Sequence, residues 1–139
     1  MHALTRKQIL FVENSVSNVK LLKYAFGVTS FSSVIHVVSS AKECLDFLYR
    51  RNDFTDKVTP DLILLDIATE DEDGAKILDV LGTEQNLKDV KVIVFSASKP
   101  TQNGNTRASF IQKPEKLDEF VEAARLVSGL WGEGTEVSP

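Results

Sequence analysis

The sequence predicts an α/β fold: a parallel sheet with helices on both faces. Three observations carry this. Short apolar runs alternate along the chain with longer amphipathic stretches, the pattern of βαβ units. The runs are continuously apolar instead of alternating, as in strands covered on both faces. Most of the stretches between them have the length and periodicity of crossover helices, which parallel neighbours require.

The first run, Ile9–Val12, reads as a buried strand. Val16–Phe26 follows as a helix, with Val19, Leu22 and Phe26 on one face and Gly27 at its stop. Val34–Val38 is the second strand. Ser40 and Glu43 have capping-box spacing and open a helix through about Arg50, with Ala41, Cys44, Leu45 and Leu48 inward. Arg51 to Pro60 is polar and reads as a loop. Leu62–Leu65 is the third strand, and a short helix follows Gly74 with Ala75, Ile77, Leu78 and Leu81 inward. Val90–Phe95 is the fourth strand and Phe110-Ile111 a short fifth. The last helix, Leu117–Val127, buries Leu117, Phe120, Val121, Ala124 and Val127, with Gly129 past its end.

Composition bounds the function. The chain has 139 residues, one Cys and a formal net charge of −4. That length suits one domain over residues 1–139, with a core over about 8–128 and a tail over 129–139, and leaves no room for a separate output domain. One Cys excludes an internal disulfide and argues against a Cys-based zinc site. Mild acidity argues against a nucleic-acid groove. No apolar run is long enough to span a bilayer, and Met1–Lys7 lacks a signal-peptide pattern, so the expected location is cytoplasmic. His36 stands alone in an apolar strand and reads as structural, and Cys44 reads as a small buried residue.

In open parallel sheets, chemistry sits outside the carboxyl ends of the strands. The residues just after the strands are Glu13 and Asn14, then Asp66, Ser96 and Lys113 followed by Pro114. Two carboxylates, an amide, a hydroxyl and an ammonium thus converge on one edge. Aspartyl phosphorylation needs such a set: a carboxylate nucleophile, oxygen ligands for a divalent cation, and a Lys and a hydroxyl for the phosphoryl oxygens.

These residues, with Asp61–Asp66, Asp73-Gly74, Val92–Ala97 and Phe110–Pro114, resemble the receiver domain of two-component response regulators over about 8–128. Leu45–Arg51, the Asp53–Pro60 loop and Leu130-Trp131 are more narrowly similar to stand-alone regulators that partner bacteriophytochromes. The resemblance implies a flavodoxin-like, doubly wound five-stranded sheet in the order 2-1-3-4-5. It implies Asp66 as phosphoacceptor, Ser96 as switch hydroxyl, Phe110 as switch aromatic, and Lys113 as phosphoryl partner with a cis bond to Pro114. Glu13, Asn14, Asp66 and the carbonyl of Ala68 would hold Mg²⁺. The partners implied are a sensor histidine kinase or phosphotransfer protein and a downstream protein, and the narrower likeness admits a homodimer. No catalysis beyond self-phosphorylation and dephosphorylation is expected, and no nucleic acid or membrane partner.

Three departures qualify this. Asn14 stands where the family usually has a second acid, which predicts weakened Mg²⁺ binding and slow phosphorylation. Glu70–Asp73 places four acids after Asp66, to attract a cation or repel an anionic donor. The Ser96–Phe110 crossover is short and rich in Pro, Gly and Asn, which predicts that the family's fourth helix is reduced or missing. A degenerate receiver that binds proteins without phosphorylation is therefore the alternative. A dehalogenase-like phosphatase would need an acid at Ala68, and a flavin protein would need a phosphate-cradling loop in place of Glu13-Asn14.

Overall fold

The computed structural model describes residues 6–29, 31–66, 72–96 and 108–130, side chains 72 and 73 excepted. In chain order these form β1 (Lys7–Val12), α1 (Val16–Val28), β2 (Ser33–Val38), α2 (Ala41–Tyr49), β3 (Leu62–Leu65), α3 (Glu72–Thr83), β4 (Lys91–Ser96), β5 (Ala108–Gln112) and α4 (Leu117–Gly129). Two short 3₁₀ turns lie at Asn52–Phe54 and Gln85–Leu87. The strands make one sheet in the order β2-β1-β3-β4-β5, every neighbouring pair parallel.

Strand alternation divides the core in two. Ile9, Phe11, Leu62, Leu64, Ile93 and Phe95 pack with α1 and α4 residues such as Leu22, Phe26, Phe120 and Ala124. Leu10, Val12, Ile63, Leu65, Val92 and Val94 pack on the other face with Cys44, Phe47, Leu48, Ile77 and Leu81 of α2 and α3. β3 is buried along its whole length, which is why its sequence is unbroken Leu and Ile.

The expected inner faces hold with two corrections. Ala75 is exposed, because α3 begins at Glu72 and turns Ile77, Val80 and Leu81 inward. Leu117 is exposed too: it is the first residue of α4, and the buried stripe begins at Phe120. Gly27 and Gly129 lie inside the ends of α1 and α4 instead of beyond them. Ser40 caps α2 by accepting Glu43 N–H, but Glu43 Oε1 reaches back to Ser39, one residue before the cap. His36 is structural, its Nε2 2.7 Å from Gln8 Oε1 and its ring edge-on to Phe47. The crossover between β4 and β5, where a reduced helix is expected, lies outside the described residues, as do Ala68 and Trp131.

Candidate functional site at the carboxyl edge of the sheet

Three residues continue the sheet ladder one step past their strands. Glu13 N–H donates to Val38 O at 2.9 Å, Asp66 N–H to Val12 O at 2.9 Å, and Lys113 N–H to Ser96 O at 2.7 Å. Each backbone is thus pinned to a neighbouring strand, and its side chain leaves a rigid platform. Val12 pairs with Leu65, so Glu13 and Asp66 stand level on adjacent strands, whose spacing is about 4.8 Å. Lys113 starts two strands away, and its long side chain crosses the end of β4 to place Nζ 3.2 Å from Asp66 Oδ1.

The resulting electrostatics are unbalanced. The Asp66 side chain is only 5% exposed, and its Oδ2 is buried with no hydrogen-bond donor. Burial, then contact with the Glu13 carboxyl and its charge, push the Asp66 pKa up to about 7, against the opposing pull of Lys113. Two carboxyls thus stand side by side, and the cation bonded to Asp66 among the described residues is Lys113.

Glu13 is buried, with 3% exposure. Ser15 N–H donates to its Oε2 at 3.0 Å and Asn18 Nδ2 to its Oε1 at 3.2 Å. Ser15 is also the N-cap of α1, its Oγ accepting Asn18 N–H at 3.2 Å. Asn14 is exposed. Val94 pairs with Leu65, so Asp66 is level with Phe95, and Ser96 stands one step further along β4. Phe110 pairs with Val94 and packs against the α2–α3 side of the core. The Lys113–Pro114 bond is trans, contrary to expectation; trans is the lower-energy isomer of an X–Pro bond by about 0.5–1 kcal/mol, and Lys113 reaches Asp66 from it.

The described edge therefore collects Glu13, Asp66 and Lys113, with Ser96 and Asn14 on the same rim. Sequence reading overlooked Asn18. The signal was available as Ser15-x-x-Asn18, a cap followed by an amide three residues on. A buried carboxylate oxygen without a donor, beside a second carboxylate, is charge that a hard divalent cation offsets, so these residues fit Mg²⁺.

The response regulator receiver domain profile matches residues 9–125, and the chain belongs to that family. Receiver domains are signalling modules of two-component systems, in which phosphorylation and Mg²⁺ are typical. Within it, the chain is 25% identical over 92 residues to the response regulator Rcp1 of Synechocystis, a match spanning 66% of this chain and 63% of Rcp1. The Mn²⁺-bound form of Rcp1 superposes with TM-score 0.75 at 20% identity, covering 96% of this chain and 99% of that one. The regulator RPA3017, of red light signalling in R. palustris, gives TM-score 0.77 at 26% identity, covering 96% and 98%. The phosphorylated cyanobacterial phytochrome regulator RcpA gives 0.77 at 22% identity, covering 91% and 94%.

Proposed function

We propose that this chain is a stand-alone receiver that accepts a phosphoryl group on Asp66 and signals by protein contact. The observation that supports it most is the Asp66 carboxyl: buried, bonded to Lys113 through Oδ1, and free of any donor at Oδ2. Ionised Oδ2 attacks phosphorus of a kinase phosphohistidine; an O–P bond forms, the N–P bond breaks, and the imidazole nitrogen keeps the electron pair. Lys113 Nζ stands at the mouth to meet phosphoryl charge. Ser96 supplies a hydroxyl from the end of β4, and Phe110, on the next strand, is the aromatic whose packing responds.

Glu13, Asn14 and Asp66, with the Ala68 carbonyl, would hold Mg²⁺, which supplies charge neutralisation for the transferring group. Asn14 contributes an oxygen without charge, so the affinity is modest. The protein acts in the cytoplasm as a single domain, with a phytochrome-type histidine kinase or phosphotransfer protein upstream and a protein target downstream, and has no further enzymatic role. Among the described residues no helix is long and apolar enough to cross a membrane.

The exposed, uncharged Asn14 favours one rival: a receiver that binds its partner without phosphorylation. Intact mass after incubation with Mg²⁺ and acetyl phosphate separates the two. The phosphoacceptor reading expects one phosphoryl adduct, absent from Asp66→Asn. No adduct at saturating Mg²⁺, with the partner still bound, supports the rival.

A further inference from the structure

The turn between β1 and α1 departs from an ordinary helix start. In a capping box, the N-cap side chain accepts the N3 backbone N–H, and an N3 Glu or Gln reaches back to accept the N-cap N–H. Here Ser15 plays the first part. The second part is taken by Glu13, two residues before the cap, whose Oε2 accepts Ser15 N–H. The N3 residue, Asn18, is then free to turn its side chain the other way, and Nδ2 donates to Glu13 Oε1. Only the amide nitrogen can face that oxygen, since the amide oxygen is an acceptor and would repel it.

The chemistry of this arrangement is specific. Burying a carboxylate is costly unless hydrogen bonds satisfy it. Glu13 gains one donor on each oxygen, and both donors are neutral. A Lys or Arg in place of Asn18 would cancel the charge, and an acid would push the carboxylate away. A neutral amide fixes the side chain while leaving its negative charge acting on Asp66, and each oxygen keeps a lone pair for a further ligand. The first turn of α1 carries no acidic residue, so its N–H groups reinforce the same orientation.

We propose that Asn18 is a positioning residue of the phosphoacceptor site, holding Glu13 in the place from which it serves a divalent cation beside Asp66. This rests on the reading of Asp66 as a cation-assisted phosphoacceptor. Asn18 does not touch the reacting atoms; it acts through Glu13. Removal of a partner that orients a metal ligand typically lowers affinity by about 10–100-fold, and Ser15 N–H remains, so the lower end applies.

The test is Mn²⁺ binding to the full chain, read from the electron paramagnetic resonance of free aqueous Mn²⁺. Asn18→Ala is expected to weaken binding about tenfold, although Ala is the better helix former. Asn18→Leu, of similar shape but without the amide, gives the same loss and guards against a folding artefact. Ser17→Ala, on the neighbouring exposed position, leaves affinity unchanged. In a Glu13→Ala background, Asn18→Ala weakens binding no further, because its target is gone. Wild-type affinity in both Asn18 variants overturns the proposal while leaving the Asp66 reading intact. A loss that adds fully to that of Glu13→Ala overturns it as well. Absence of Mn²⁺ binding by the wild type overturns both.

Discussion

Two regions of the molecule bury carboxylates, and they treat them in opposite ways. Asp46, near the end of α2, is 5% exposed. Lys42 Nζ lies 3.1 Å from its Oδ2 and Arg51 3.1 Å from its Oδ1, and Asn52 Nδ2 donates to Oδ2 at 3.0 Å. Asn52, then Lys42, hold its pKa below the ordinary carboxylate range. At the sheet edge, Asp66 has Lys113 at Oδ1 and the Glu13 carboxyl beside it, and its Oδ2 has no donor. The Asp46 corner is an ion-paired staple: it ties Arg51 and Asn52 to α2 across the left-handed residues Arg50 and Asn52. The Asp66 edge keeps its excess charge. A buried acid whose bonds are complete is architecture; one left short of partners is poised to take up a cation, a proton or a phosphoryl group.

The comparison can be broken at either region. The largest effect is expected from Lys113→Met, which removes the only cation bonded to Asp66 among the described residues. The carboxyl then rises further above its usual range, and the rate of adduct formation from acetyl phosphate, followed by intact mass, falls by about 10²-fold. Next is Asp46→Ala. It leaves the edge untouched, so adduct formation persists, but the melting temperature by differential scanning calorimetry drops by several degrees as the strained Asn52 loses its anchor.

Asp66→Asn has the opposite sign. A carboxyl raised to about 7 in the folded protein stabilises the fold below its unfolded value near 4, and that contribution is lost as pH rises through 7. Without added metal, the Asn variant is therefore more stable than wild type at pH 8 by about 1–2 kcal/mol, less than the full shift implies because solvent at the mouth screens it. The gap closes toward pH 4, as paired urea titrations would show. The smallest effect concerns Cys44, buried in the α2 face and pushed up to about 12 by desolvation. A maleimide leaves it unmodified in the native protein and labels it in urea.

Much of this was legible in the sequence, for identifiable reasons. Leu62–Leu65 is apolar throughout because β3 is covered on both faces, and the residue after each such run falls at the sheet edge by topology alone. Glu13, Asp66 and Lys113 were found that way. The strand order came with the family resemblance, since apolar runs do not state their neighbours. Ala75 was misread because a helix start before Gly74 is set by a backbone that periodicity does not see, and Leu117 because a first-turn residue lies past the sheet it should cover. Asn18 was overlooked since an amide in a first helical turn has an ordinary surface reading; only its bond to a buried acid two residues before the cap separates it.

The most direct test follows both acids in one sample. Carbon-detected NMR of the Asp side-chain carboxyls, over pH 2–9 in metal-free buffer, reads each titration. Asp66 is expected to titrate near 7, and Asp46 below the ordinary carboxylate range. In Glu13→Gln, Asp66 should fall toward the ordinary value. If Asp66 titrates in the ordinary carboxylate range in the wild type, the two regions hold their acids alike, and the claim that unbalanced charge marks the site is wrong.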